Sequence, residues 1–114
     1  MSKIADDVYD ILKKEFPFTC IEKEYYVNYR NTKLFFDFYI KSLGLLFECQ
    51  GRQHTQFVKH FHGDIADFYA QRRRDGLKVE YCEKNDLTLV LLFDTIDIIT
   101  NELVLTRIYE AMHV

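Results

Sequence analysis

Two strongly apolar, β-forming runs, residues 34–41 and 45–50, are separated by only three residues, Ser42 to Gly44. Runs rich in Phe, Tyr, Ile and Leu that are joined by so short a connection predict an antiparallel β-hairpin. The chain contains only 4 Gly and 1 Pro, too few for the many turns of a barrel or a repeat array. The hairpin is therefore expected to lie within a larger sheet that helices cover.

The segments on either side of this hairpin alternate between helical and strand-like patterns. Ile4, Val8 and Leu12 recur at helical spacing, with Ser2 as the expected N-cap and Pro17 as the residue that stops the helix. The predicted elements are this first helix, strands over 20–27, 34–41, 45–50 and 87–93, and helices over 63–84 and 100–113. The order α-β-β-β-α-β-α predicts a single α/β (α+β) domain over residues 1–114, with a central mixed sheet of about four strands flanked by helices.

The composition indicates a folded intracellular protein. Hydrophobic residues make up 48% of the chain and aromatic residues 16%, which excludes a disordered chain. No apolar run approaches the roughly 20 residues that cross a membrane, and the acidic first residues show no secretory signal. Three widely spaced cysteines, an odd number, favour reduced thiols in the cytoplasm or nucleus.

Charge is distributed unevenly along the chain. The net charge is −3, which argues against a protein that coats nucleic acid by bulk attraction. Residues 52–78 nevertheless carry six Lys or Arg against three acids, together with three of the four His. Such a segment predicts a local contact for phosphate groups, or, as the alternative, a solvated helix face.

Each strand of the predicted hairpin carries one acid inside apolar sequence, Asp37 in FFDFY and Glu48 in LLFECQ. With a two-residue loop, the two carboxylates lie directly opposite each other; a longer loop with Gly44 in a bulge would shift them by one residue. Opposed carboxylates destabilise a sheet unless a cation lies between them. Mg²⁺ would resolve this conflict, because it takes one or two carboxylates and keeps waters for a phosphate. The alternative is that one acid faces solvent or pairs with Arg52 or Lys33.

Two further features are candidates for work on a phosphate. His54 follows Glu48 by six residues in a polar loop; it is either a general acid or base or an ordinary solvated residue. Arg74, Lys78 and Tyr81 recur at helical spacing and would line one helix stripe, either for phosphate contacts or in local salt bridges. Because the chain has no Cys-x-x-Cys motif, a zinc site is not expected.

Taken together, these segments resemble a known family. The pattern DFYI-x(7)-ECQGRQH, a helix with RRRDGLK-x-x-YC-x-x-N, and the strand LTLVLLF are similar to the very-short-patch-repair-like and homing-endonuclease-like branch of the PD-(D/E)xK nucleases. That branch includes small phage and viral enzymes. The resemblance covers about residues 2–95. It implies a restriction-endonuclease-like fold and metal-dependent cleavage of DNA.

The motif positions of that family map onto the hairpin. Asp37 corresponds to the acid of PD, with Phe36 in place of Pro. Glu48, Cys49 and Gln50 correspond to (D/E)-x-K, with Gln50 in place of Lys. The resemblance implies that Asp37 and Glu48 hold Mg²⁺, for which Mn²⁺ is a substitute, with the carbonyl of Cys49 as a further ligand.

The resemblance also implies roles for residues outside the two acids. Gln50 would orient the attacking water, and His54, assisted by Asp75, would transfer the proton. The residues expected to contact DNA are Arg52, Arg73, Arg74 and Lys78.

The first helix departs from the family pattern. The family usually carries a Glu early in this helix, and Ala5 lies near that position here. Asp6, Asp7 and Glu15 are the candidates to replace it, or the role is vacant.

Three functions follow from these features. The first is a magnesium-dependent endodeoxyribonuclease or nickase. The second is a catalytically degenerate nuclease fold that binds nucleic acid or assembles with other chains. The third is a purely structural interaction protein, for which the aromatic residues Tyr25, Tyr26, Tyr29 and Phe57 would supply contacts. The expected partner is DNA, with no membrane contact, and sequence specificity would come from loops, a homodimer or a partner chain because no DNA-reading motif is present.

Overall fold

The computed structural model of the protein describes residues 3–50, 65–93 and 98–113. The helices are α1 (Lys3–Glu15), α2 (Ile65–Lys84) and α3 (Asn101–Met112), and the strands are β1 (Glu22–Tyr29), β2 (Thr32–Ile40), β3 (Leu45–Gln50) and β4 (Thr88–Phe93). A short 3₁₀ turn, Lys41–Leu43, joins β2 to β3. None of the helices in this described part combines the length and the apolar character needed to span a membrane.

The four strands form one mixed sheet in the order β1-β2-β3-β4. The first two pairings are antiparallel, and β3 pairs with β4 in parallel, as a crossover connection that includes α2 allows. Helices α1 and α3 cover one face of the sheet, and α2 covers the other. This α+β arrangement confirms the predicted order of elements and the mixed sheet of four strands.

The larger core lies between the sheet and helices α1 and α3. Ile4, Val8 and Leu12 are buried along one side of α1 because they recur at helical spacing. Val104 and Ile108 are the buried residues of α3. The strand residues of this core are Phe38, Ile40, Leu45, Phe47, Cys49, Val90 and Leu92.

The opposite face of the sheet carries a smaller core beneath the C-terminal half of α2. Leu77 and Cys82 are the buried residues of this helix. The buried strand residues here are Leu34, Phe36 and Leu46. Ile65 and Tyr69, near the beginning of α2, are exposed, so within the described residues the buried apolar contacts of this helix lie in its second half.

The β1–β2 ribbon is irregular where Glu24 lies opposite Asp37. The register pairs the residues on either side of this position but skips the position itself. Glu24 has a left-handed backbone, with φ 51°, which interrupts the regular alternation of side chains. At this interruption β2 changes face: Phe38 belongs to the core beneath α1 and α3, whereas Phe36, two residues earlier, belongs to the core beneath α2.

Most element boundaries lie close to the predicted ones. β1 ends later than expected, at Tyr29, because the tight turn is formed by Arg30 and Asn31, both left-handed, as in hairpin turns of type I′. Thr100 caps α3, and its hydroxyl accepts a hydrogen bond from the Leu103 amide at 3.1 Å.

Two positions within the helices differ from what their residue type or spacing suggests. A glycine inside a helical pattern can mark a kink or a close approach, but α2 is continuous at Gly76, and among the described residues no atom outside the helix's own backbone lies within 4 Å of the place a Cβ would occupy. Met112 follows Ile108 at helical spacing but is exposed, because the buried side of α3 ends at Ile108. The expected N-cap Ser2 lies outside the described residues.

Candidate active site

The register of β2 and β3 brings the two acids of the hairpin to the end of their shared ladder. The ladder pairs Ile40 with Leu45 and ends with Phe38 opposite Phe47, so Asp37 and Glu48 are the next residue on each strand. The connecting turn is longer than a two-residue loop, and Gly44 is left-handed with φ 65°. The register predicted from a two-residue loop is nevertheless confirmed for the three paired positions, whereas the direct opposition of Asp37 and Glu48 stays a prediction.

Asp37 closes the end of this ladder with its side chain. Its Oδ2 atom accepts a hydrogen bond from the Cys49 backbone amide at 2.8 Å. The carboxylate is thus the hydrogen-bond acceptor for an amide of β3 just beyond the last β2–β3 pair. Hydrogen bonds to ionised acceptors are stronger than neutral ones, so this contact fixes the carboxylate against β3.

Glu48 is a buried acid on the face that α2 covers. The residue is 4% exposed, and its Oε1 atom lies 2.9 Å from the Nζ atom of Lys78. The Lys78 side chain is itself 12% exposed, and its Nζ atom lies 5.6 Å from the centre of the Phe36 ring. Among the described residues, the cation beside Glu48 is therefore Lys78, which was not among the partners considered from the sequence; Arg52 lies outside the described residues.

The thiol of Cys49 is separated from these acids by the sheet. Its side chain belongs to the core beneath α1 and α3. Burial, followed by the charges of Asp37 and Glu48, raises the pKa of the Cys49 thiol far above its usual value. Burial together with Glu48 and Glu83 raises the pKa of Cys82 to about 12. Both thiols are therefore neutral at physiological pH, and the main-chain carbonyl is the group of Cys49 that is suited to bind a hard cation.

Helix α2 is fixed over the hairpin by polar contacts at its outer end. The Tyr29 hydroxyl donates a hydrogen bond to Glu80 Oε1 at 3.0 Å, and Arg30 forms an ion pair with the same oxygen. The hydrogen bond from Tyr29, followed by the charge of Arg30, lowers the pKa of Glu80. These contacts help to set the position of α2 over the strands and hence the position of Lys78.

The remaining residues expected at the site are distributed as follows. Asp75 is half-buried on α2, whereas Arg73 and Arg74 are exposed on the same helix. Arg73 lies 3.4 Å from the Thr32 hydroxyl. The side chain of Gln50, and the residues Arg52 and His54, lie outside the described residues.

Three acids of α1, namely Asp6, Asp7 and Glu15, were considered as replacements for the Glu that the family carries in its first helix. Asp7 forms an ion pair with Lys3 at 3.0 Å, and Glu15 accepts a hydrogen bond from the Asn101 amide at 2.9 Å. Asp6 is exposed. Across residues 3–50, 65–93 and 98–113, no three His, Cys, Asp or Glu side chains form a group that could hold a metal ion.

Sequence reasoning brought together Asp37, Glu48 and Cys49 but missed the contact of Lys78 with Glu48. Lys78 was expected on an exposed stripe with Arg74. A signal was present, because Lys78 adjoins buried Leu77 and precedes buried Cys82 by one helical turn. A lysine on the inward side of a helix requires an anionic partner, and Glu48 is that partner.

The comparisons with known proteins find two viral relatives. The chain is 40% identical over 60 residues to uncharacterized protein 307L of Invertebrate iridescent virus 6, a match over 53% of this chain and 30% of that protein. It is 42% identical over 55 residues to uncharacterized protein 094L of Frog virus 3, a match over 47% of this chain and 36% of that protein. The matches thus span about a third of the length of these curated relatives. No protein-family model matches the chain, and no solved structure matches it.

Proposed function

We propose that the protein is a metal-dependent endonuclease that hydrolyses DNA, with Asp37 and Glu48 as the residues that hold Mg²⁺. The observation that carries the proposal is that both acids lie one residue beyond the last β2–β3 pair, with the Asp37 carboxylate bonded to the amide of Cys49, the residue next to Glu48. One of them is buried within an apolar sheet, a placement that is costly unless positive charge is close. The resemblance to PD-(D/E)xK nucleases assigns its two metal-binding acids to the same two positions.

The donor set suits magnesium. Two carboxylates on adjacent strands are hard oxygen donors, and Mg²⁺ needs only one or two protein carboxylates because it keeps several waters. The Cys49 carbonyl is the further ligand that the resemblance implies. When bound, Mg²⁺ would polarise the scissile phosphate and favour ionisation of a water molecule. Asp37 is already oriented for this role by its hydrogen bond from the Cys49 amide.

Other residues would act on the substrate rather than on the metal. Arg73 and Arg74, exposed on α2, would contact phosphate groups of the DNA backbone. Gln50 would orient the water, and His54, assisted by Asp75, would transfer a proton, as the resemblance implies. Sequence specificity would come from loops, a second copy or a partner chain.

The test is cleavage of linear, nicked and branched DNA by the purified protein with EDTA, Mg²⁺ or Mn²⁺. We expect cleavage with either metal and none with EDTA. The isosteric variants Asp37→Asn and Glu48→Gln should each lose about 100-fold or more of the rate, because each removes one charge that holds the metal. Glu83→Gln, an exposed change on α2, is the matched control and should cut like the wild type. A folded Asp37→Asn or Glu48→Gln variant that cuts at the wild-type rate would refute the assignment.

A second candidate function is a degenerate nuclease fold that binds nucleic acid without cutting it. It is favoured by the ion pair that already engages Glu48 and by the lack of a three-residue metal-binding group within the described ranges. This function predicts no heat of Mg²⁺ binding in calorimetry and no cleavage, with DNA affinity that depends on the exposed arginines of α2. Calorimetric titration of the wild-type protein with Mg²⁺ therefore separates the two functions.

A further inference from the structure

The ion pair between Lys78 and Glu48 joins two buried side chains. The Nζ–Oε1 distance is 2.9 Å, and the two side chains are 12% and 5% exposed. Removing two charges from water costs several kcal/mol, which their mutual attraction offsets only when the geometry is good. Such a pair adds little stability beyond that of apolar residues of equal size, so its presence calls for another role.

Lys78 is held in place by the helix and not by the strand that bears Glu48. Leu77 and Cys82 anchor this part of α2 in the core, and Glu80 accepts a hydrogen bond from Tyr29 of β1. The ammonium group also lies within range of the face of the Phe36 ring, where a cation is favoured. The Lys78 amine is thus held beside Glu48 by a helix whose position depends on contacts other than the ion pair itself.

The Lys78 ammonium group lies beside the buried carboxylate of Glu48, where a positive charge offsets the cost of burial. Glu48 and Asp37 each lie one residue beyond the last β2–β3 pair, and the Lys78 ammonium offsets the negative charge of Glu48. A divalent cation that binds Glu48 would therefore meet a unit positive charge already on that carboxylate. Repulsion between these two positive charges is expected to weaken binding of the divalent cation about tenfold or more.

We propose that Lys78 exchanges partners: it pairs with Glu48 in the metal-free protein and gives up this carboxylate when a divalent cation binds. Its ammonium group then contacts a phosphate oxygen of the substrate. The inference rests on the proposed function, because it concerns the same two acids. It differs from a role in general DNA binding, since the Lys78 side chain is largely buried.

The test compares Lys78→Met with the wild type and with Lys84→Met, an exposed lysine of the same helix. Calorimetry with Mg²⁺ should give a binding constant about tenfold tighter or more for Lys78→Met, because the competing charge is gone. The same variant should cut DNA about 100-fold more slowly, because the phosphate contact is gone. Lys84→Met should match the wild type in both measurements. Tighter metal binding combined with slower cleavage is a pair of effects that loss of packing alone would not produce.

The outcomes separate the inference from the proposed function. If the wild type binds Mg²⁺ and Lys78→Met binds it equally or more weakly, the exchange of partners is refuted and the nuclease proposal stands. If neither protein binds Mg²⁺ and neither cuts DNA, the proposed function fails, and the inference fails with it.

An NMR measurement on the wild-type protein tests the inference even if the Lys78→Met variant does not fold. Lysine labelled with ¹⁵N reports the side-chain ammonium groups by NMR, and the Lys78 signal is assigned by its loss in Lys78→Arg. We expect Mg²⁺ to shift the Lys78 signal and to leave the Lys84 signal in place. An unmoved Lys78 signal at Mg²⁺ concentrations where calorimetry detects binding would overturn the inference.

Discussion

At the scale of single residues, Asp37 combines a structural contact with a proposed chemical one. Its Oδ2 atom accepts the hydrogen bond of the Cys49 amide just past the last β2–β3 pair. An amide that loses its acceptor in a partly buried place costs about 1–3 kcal/mol. The same carboxylate supplies the negative charge that a metal ion would require.

These two roles of Asp37 are separable by substitution. Asp37→Asn keeps an oxygen that accepts from the Cys49 amide, whereas Asp37→Ala removes it. We therefore expect Asp37→Ala to have a free energy of unfolding about 1–2 kcal/mol below that of Asp37→Asn, although both should lose cleavage. Urea unfolding followed by circular dichroism measures the difference. Equal stability of the two variants would show that the hydrogen bond contributes little to the fold.

The sequence was sufficient to predict that Asp37 and Glu48 lie near each other, but not that Lys78 pairs with Glu48. Asp37 and Glu48 lie on two strands joined by a short turn, so counting residues from the turn predicts their register. Lys78 lies 30 residues after Glu48, and its contact depends on where α2 docks. No local pattern encodes that distance.

At the scale of elements, Gly44 and Gly76 differ in whether the backbone requires a glycine. Gly44 ends the turn between β2 and β3 in a left-handed conformation, with φ 65°, which is costly for any residue with a Cβ. Gly76 lies inside α2, with open space where a Cβ would stand. A glycine in a helix interior weakens the helix because it loses more conformational freedom on folding.

Substitution of each glycine by alanine should therefore have opposite effects on stability. Gly76→Ala should raise the free energy of unfolding by about 0.5–1 kcal/mol. Gly44→Ala should lower it by about 1–2 kcal/mol. Thermal unfolding of the two variants beside the wild type checks both signs. A loss of stability in Gly76→Ala would mean that the open space beside α2 is occupied in solution.

The irregular position in the β1–β2 ribbon is the element that the sequence did not predict. Strict alternation would assign Phe36 and Phe38 to one face, yet they lie in different cores. The change of face on β2 falls at Asp37, where the ladder is interrupted and the facing Glu24 of β1 is left-handed, although Glu has no strong preference for that conformation. Packing of two helices on opposite faces overrides the local pattern here.

At the scale of the whole molecule, exposed positive charge is concentrated on α2. The chain is acidic overall, with a net charge of −3, but three consecutive arginines, Arg72 to Arg74, are exposed on this helix. The buried Lys78 lies one turn after Arg74 on the same helix. This arrangement would bring a DNA backbone to the side of the sheet where Glu48 lies.

The salt dependence of DNA binding tests this placement. Arg74→Ala should weaken binding and reduce the slope of log K against log salt by about 1, because one phosphate contact is lost. Lys14→Ala, an exposed change on α1 at the opposite face of the sheet, is the matched control and should leave the slope unchanged. Fluorescence anisotropy with a labelled duplex over a series of salt concentrations measures both. Equal slopes for the Arg74→Ala variant and the wild type would exclude Arg74 from the interface.

The sequence by itself determined the order of elements and the register of the β2–β3 hairpin, and side-chain alternation placed Cys49 on the face opposite Glu48. These features depend on the periodicity of side chains and on a short turn, which are local properties. Only the tertiary structure decided that Lys78 faces Glu48 and that the β1–β2 ribbon changes face where Glu24 meets Asp37. Those features depend on how α2 and α1 pack on the two faces of the sheet, and that packing joins residues far apart in the chain.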